Sequence, residues 1–347
     1  SKIEPREKKD TMPSLLDLPL ELLVQIVQET IPTDFEAAAL SCKTLFAAST
    51  PFRAQYTTRR KRFRKFRFSR KVEESSEAEE ETDSGEHWDK ITQETGIRIR
   101  TTRELLEQIA LDHSVARYIQ NIDLRGARDE EDDEELVKSL EAQVPETLRN
   151  LVHISPFIEA VDGDADDWIR GIQWSTIYAD VFLLTLLSQV RKVTLHPRWD
   201  ELDPFNSRNT STNERLWPVL KLIMHRANHP EEFPGAPLSM LSVVQPSRDY
   251  GYEERSALTP FVPFLAINSV SKVSLGSCIF KDDGYTGKSF DPMVECYSKN
   301  LRKLVLEGCV AGPEELSQLL SRIPNLEVFE YSHETKWHGC GYNWNVG

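Results

Sequence analysis

Apolar residues along this 347-residue chain follow two different periods. From Leu15 to Phe46 they recur at helical spacing. Leu18, Leu22, Leu23, Ile26 and Val27 form a stripe on one predicted helix. Pro19 fits its first turn, where a missing N–H goes unnoticed, and Glu21 complements the helix dipole there. Thr33 and Glu36 stand at capping-box spacing ahead of Ala37, Ala38, Ala39 and Leu40, which predicts a second helix. A third, through Leu45, Phe46 and Ala47, closes a compact three-helix unit. So short a segment cannot bury a large core, yet it is rich in leucine. Part of its apolar surface is expected to face another polypeptide.

From about residue 97 the period changes. Short segments at 118–124, 190–195, 238–244, 270–275, 301–306 and 326–331 read as strands, and most show apolar residues at every second position. Helical patterns run between them, at Thr101–Asp112, Leu216–Ala227 and Glu314–Ile323, the last preceded by Gly312-Pro313 as a start signal. From Leu275 to Leu306 is 31 residues and from Leu306 to Phe329 is 23, whereas 71 residues separate Leu124 from Leu195. Long Pro-rich loops are expected to fill the larger gaps.

Two family resemblances rest on these residues. Leu16, Leu18, Pro19, Glu21, Leu22 and Leu23 match the Leu-x-Leu-Pro-x-Glu-Leu-Leu start of the F-box, and Leu40, Cys42, Lys43, Leu45 and Phe46 match its later element. The F-box is the helical module that docks on the Skp adaptor of SCF-type ubiquitin ligases. Phe52 and Tyr56 stand where many F-boxes carry a Trp. Leu301-x-x-Leu304-x-Leu306-x-x-Cys309, followed by a helix and Leu326-x-x-Phe329, resembles a leucine-rich repeat. Together the two resemble a large class of fungal F-box proteins, as does the ending from His333 to Cys340.

The resemblance implies an α+β chain: a small all-α F-box, then an irregular leucine-rich-repeat-like α/β solenoid, with a non-repeat α/β domain as the alternative. The expected divisions are a tail at 1–12, the F-box at 13–56, a basic segment and acidic linker at 57–90, and the repeat domain at 91–347. It implies a non-catalytic substrate receptor that binds the Skp adaptor, and through it a cullin, using Leu15, Leu16, Leu18, Pro19, Leu22, Leu23, Ile26, Leu40, Cys42, Leu45 and Phe46. A protein substrate would meet the concave strand residues, among them Asp123, Arg125, Lys192, Thr194, Ser274 and Lys303. A scaffold that holds the adaptor without a cullin is the other reading.

Charge changes the picture in one place. The chain is acidic, with a formal charge of -14, yet residues 59–71 carry nine basic side chains and no acidic one. Residues 73–86 then carry eight acidic ones, a composition expected to be disordered, with Ser75 and Ser76 in a phosphorylatable context. The basic run with Phe63, Phe66 and Phe68 could contact nucleic acid or direct nuclear import. An amphipathic helix is preferred, with Tyr56, Phe63 and Phe66 inward and the arginines solvated, because a polyanion follows directly.

Other candidate chemistry is thin. Five scattered cysteines (42, 278, 296, 309, 340) make no framework and suit a reducing cytoplasm or nucleus. The apolar run 181–187 is too short to cross a bilayer, and the charged start holds no signal-peptide core. A sequence that begins without Met and stops at Gly347 suggests a longer parent chain. His333, His338 and Cys340 lack zinc spacing, and the run 129–135 lacks the Asn and Gly of a calcium loop, so neither metal nor cofactor is expected. Trp168, Trp174, Trp199 and Trp217 fall in or beside predicted loops and are expected mostly to be buried. No nucleophile elbow, phosphate loop or kinase set is present.

Overall fold

The computed structural model describes residues 15–69, 90, 92–125, 143–196, 199, 202, 210–245, 256–280 and 297–333. The chain forms two compact units that divide between Arg60 and Lys61, inside a helix. The first unit holds α1 (Leu20–Glu29), α2 (Phe35–Ser41), α3 (Lys43–Ala48) and most of α4 (Thr50–Phe63). A fourth helix therefore joins the expected three. Pro19 precedes α1 instead of lying within its first turn, and Asp34, not Thr33, stands at the start of α2, without a side-chain cap bond. Leu23, Val27, Phe35, Ala39, Leu45, Ala48 and Tyr56 are buried, with the Phe35 and Tyr56 rings 4.4 Å apart.

The second unit is mixed helix and strand around one parallel sheet. Its strands are β1 (Lys65–Arg67), β2 (Asn121–Asp123), β3 (Lys192–Thr194), β4 (Val243–Gln245), β6 (Lys272–Gly276), β8 (Lys303–Cys309) and β9 (Val328–His333). Each pairs in parallel with the next, so the seven lie in chain order. A separate two-stranded piece pairs β5 (Ser256–Ala257) with β7 (Cys278–Ile279). All six expected strands are present within a few residues. The seventh, β1, lies in the basic run, where a helix is expected from the sequence, and the second unit starts at Lys61.

One backbone device recurs along the sheet. The carbonyl of Arg64 accepts the N–H groups of Gln120 and Asn121, each at 3.0 Å; that of Gln120 accepts Arg191 and Lys192 at 2.6 and 3.2 Å. The same forked bond joins Arg191 to Ser242 and Val243, Ser242 to Ser271 and Lys272, Ser271 to Arg302 and Lys303, and Arg302 to Glu327 and Val328. Around each fork the side chains repeat an apolar-x-x-apolar-x-apolar spacing. Phe63, Phe66 and Phe68, then Ile119, Ile122 and Leu124, then Val190, Val193 and Leu195 are all buried, as are Val270, Val273 and Leu275, and Leu301, Leu304 and Leu306. A continuous apolar seam thus runs under one face of the sheet. In the last turn Val328 and Phe329 are exposed.

Six helices flank β2, α5 (Thr102–Leu111), α6 (Ser114–Tyr118), α7 (Glu146–His153), α8 (Pro156–Glu159), α9 (Ala165–Trp174) and α10 (Thr176–Leu184), and the long gap from β2 to β3 holds helices where Pro-rich loops are expected from the sequence. The first two of these precede β2 and the other four follow it. At the start of α5 the Thr101 hydroxyl accepts Glu104 N–H at 3.1 Å while the Glu104 carboxylate accepts Arg100 N–H at 2.6 Å, a reciprocal cap. Every side chain from Ile177 to Leu184 on α10 is buried, and Asp180 among them accepts the Thr102 hydroxyl at 2.7 Å. The run 181–187 is thus core. Trp168, Trp199 and Trp217 are buried as expected, whereas Trp174 is exposed at the end of α9.

Gly171 is where α9 meets α10. A Cβ there would lie 2.4 Å from Tyr178 Cδ1, and the Tyr178 ring is held by the Trp168 edge at 5.3 Å. Gly171→Ala must push that ring aside, and overpacking of this kind costs about 1–3 kcal/mol. The expected result is a lower thermal midpoint with unchanged helix content in circular dichroism.

Candidate functional site

Helix α1 carries apolar residues on two adjacent stripes. Leu23 (1% exposed) and Val27, one turn apart, enter the core of the first unit. Leu22 (42% exposed) and Ile26, also one turn apart, face out. Leu15, Leu16, Leu20, Leu40 (76% exposed) and Phe46 are exposed as well, the Phe46 ring covered on one side by the Arg53 guanidinium at 4.1 Å. Of the 13 large exposed hydrophobic side chains among the described residues, these are 7, all between positions 15 and 46. Single exposed leucines are ordinary, but concentration in one small unit is the signature of an interaction surface.

The proposed adaptor residues therefore separate into two groups. Leu15, Leu16, Pro19, Leu22, Ile26, Leu40 and Phe46 are exposed, and Leu18 and Cys42 are half-buried. Leu23 and Leu45 are buried in the unit's own core, so they support the surface and cannot form it. Leu20, exposed on the same helix, was missed by the motif because its position there is unspecified.

The second candidate surface is the polar face of the parallel sheet. Alternate strand residues share a face, so Arg67, Asp123 and Thr194, in register on β1, β2 and β3, lie side by side. Asp123 Oδ2 accepts Arg125 Nη2 at 2.7 Å, its Oδ1 accepts Arg125 Nε at 2.9 Å, and Arg67 Nε stands 3.3 Å from Oδ2. Burial would raise the Asp123 carboxyl, but the bonds and charge of Arg125, with the charge of Arg67, outweigh it and hold the group below its ordinary value of 3.8. Lys192 lies below its ordinary ammonium value, mainly through burial; Asp123 opposes that and Arg67, Arg125 and Lys272 reinforce it. Asp123, Arg125 and Lys192 are thus one cluster. Ser274 and Lys303 share the face farther along, Lys303 in an ion pair with Glu330, while Thr194 is buried and offers little to a ligand.

A depressed carboxyl contributes stability that is complete above its ordinary pKa and is lost as pH falls through the lowered one. Asp123→Asn is therefore expected to lower the thermal midpoint at neutral pH. Its stability should also fall less than the wild type's between about pH 5 and about pH 2, read from thermal midpoints across that range.

The basic run is the expected helix only as far as Phe63; Tyr56, Phe63 and Phe66 are buried as expected, but the arginines are not all solvated. α4 ends at Phe63, Phe66 belongs to β1, and Phe68 is buried just beyond that strand. Arg62 is buried, donating to the Ile97 carbonyl at 3.0 Å and the Arg67 carbonyl at 3.1 Å, with its guanidinium 4.8 Å from the Phe66 ring centre. Burial lowers its pKa to about 10, which leaves it cationic at neutral pH.

Other candidates carry little chemistry. An open cavity of about 430 Å³ is lined by Asp167, Arg170, Gly171, Tyr178 and Arg215, but Asp167 pairs with both arginines, with Arg215 Nη2 at 2.9 Å. Among the described residues no three His, Cys, Asp or Glu side chains are grouped to hold a metal, and no helix is long and apolar enough to cross a membrane. Cys42, Cys278 and Cys309 form no disulfide among the described residues. His338, Cys340 and the acidic runs at 73–86 and 129–135 lie outside the described residues. Compared with protein families, curated proteins and solved structures, the chain matches none.

Proposed function

We propose that this chain is the substrate-recognition subunit of an SCF-type ubiquitin ligase. The first unit acts as an F-box that docks on the Skp adaptor, and the second as an irregular leucine-rich-repeat-like domain that holds a protein substrate. The observation that carries this reading is the second apolar stripe of α1, Leu22 and Ile26, left exposed, as are Leu40 and Phe46 of the same unit, while the first stripe fills the core. Leu22, Leu40 and Phe46 are residues of the F-box-like motif, and all three are exposed. The repeat-like reading draws support from seven parallel strands in chain order with one recurring fork between them.

In this role the chain does no bond-making of its own. It raises the effective concentration of a substrate lysine near a ubiquitin-charged enzyme held elsewhere in the assembly, which turns an encounter between molecules into one within a complex. The test is co-purification of tagged wild type and the Leu22→Asp/Ile26→Asp variant from cells. Adaptor and cullin recovered with the wild type, and both lost from the variant, is the expected result. Adaptor without cullin would assign the chain to a scaffold outside the ligase. Recovery of neither would sink the F-box reading.

A further inference from the structure

The register of the sheet lines up its lysines. Lys65, Asn121, Lys192, Val243, Lys272, Lys303 and Val328 are successive partners across β1, β2, β3, β4, β6, β8 and β9, and so form one row on the solvent face. Four of the seven positions are lysine, in a chain whose formal charge is -14. Lys65, Lys192 and Lys272 stand in no ion pair among the described residues; Lys65 is exposed and the other two are half-buried. Lys272 and Lys303 are direct cross-strand neighbours, an arrangement of like charges that weakens a sheet. Arg67 and Arg125 sit one step farther along the strands, facing Asp123. The folded protein keeps repelling cations in a line where nothing in the sheet itself requires them.

From this row we infer that the polar face of the sheet binds an acidic polypeptide segment, laid in extended form across the strands. The inference deepens the proposed function, by naming the substrate class, and rests on it only for calling that segment a substrate. Geometry sets the length. From Lys65 to Lys303 is five strand spacings, roughly 24 Å, which an extended chain covers in about seven residues. Carboxylates spread along such a segment match cations spread along the row, as a single anionic group does not. A nucleic acid strand fits less well. The row offers Asn121 and Val243 between its lysines and no aromatic ring for a base to stack on.

The experiment is fluorescence anisotropy with the full chain at low salt. The probes are a labelled seven-residue Glu-rich peptide with neutral flanks, the same peptide with Gln for Glu, and a labelled single-stranded RNA. The Glu peptide is expected to bind and the Gln peptide not. Lys192→Gln/Lys272→Gln should weaken binding about tenfold, and physiological salt should weaken it further. Lys65→Gln, at an exposed position, gives a smaller loss in the same direction and guards against a folding defect in the double variant. Equal binding of both peptides, binding unchanged in all variants, or tighter binding of RNA would overturn the inference. So would binding seen only after the acids of residues 73–86 are changed to amides, which would give the face to the chain's own acidic run. Adaptor capture, measured on the same samples, keeps the two proposals apart: peptide binding without adaptor capture upholds this inference and removes the ligase reading, and the reverse removes this inference alone.

Discussion

Leu22→Asp is expected to abolish capture of the Skp adaptor while the thermal midpoint stays within a degree or two of wild type. Its neighbour behaves in the opposite way. Leu23→Ala should lower the stability of the first unit by about 2–4 kcal/mol, since it empties a fully buried site in a unit whose other buried residues include Val27, Phe35 and Leu45. Leu22 is already 42% exposed, so replacing it opens no buried cavity of that kind. In a complex, however, an aspartate would take a carboxylate into an apolar contact, a loss of about 3 kcal/mol or more, and hence of 100-fold or more in affinity. Adding Ile26→Asp, one turn along the same stripe, should take binding below detection. The pair of measurements is adaptor affinity by calorimetry and unfolding by denaturant. If Leu22→Asp binds normally, the outward stripe is not the docking surface.

Arg62→Ala is expected to be the most damaging single change in the basic run, at about 3 kcal/mol against the second unit. Two hydrogen bonds from a charged donor disappear, to Ile97 and Arg67, and a guanidinium leaves the face of Phe66. Arg62→Met keeps the apolar stem and drops the buried charge, so about half of that loss is expected. Arg59→Ala and Arg64→Ala, on half-buried and exposed side chains, should each stay within about 0.5 kcal/mol. Urea unfolding of the four variants ranks them. Were Arg62 an import or nucleic-acid contact, its replacement would change localisation or binding and leave unfolding alone.

Much of the sheet could be read in the sequence because its strands alternate. At 270–275 and 301–306 the last two buried residues alternate, Val273 with Leu275 and Leu304 with Leu306, and that period survives whatever surrounds it. β1 was hidden by its own charges. Phe63, Phe66 and Phe68 have the same spacing as Leu301, Leu304 and Leu306, but lysine and arginine between them gave the run the look of a solvated helix. Matching that spacing against 301–306 would have found it. The helices between β2 and β3 were missed for a different reason. Pro145 and Pro156 read as loop punctuation, whereas each stands at a helix start, the position proline tolerates best.

The candidate surfaces were legible to different depths. That the first fifty residues hold more leucine than they can bury follows from composition and length alone. Which of Leu22 and Leu23 turns outward does not, because neighbours on a helix differ by about 100° and tertiary packing makes the choice. On the sheet, Lys192, Ser274 and Lys303 were picked from strand alternation, while Lys65 and Lys272 were not. Their alignment is a property of cross-strand register. That register is carried by the forked backbone bonds, and no spacing along the chain reports it.

Those forks carry a consequence for how such a chain tolerates change. The separation between equivalent strand residues is 71 from Ile122 to Val193 but 25 from Leu304 to Phe329, yet the same carbonyl receives the same two amides at either join. Doubling the length of a flexible connection costs only about 0.6 kcal/mol of closure entropy. Insertions and deletions can therefore collect on the outer arcs while the inner register stays intact. Kinship between chains built this way would fade from residue counts long before it faded from the backbone.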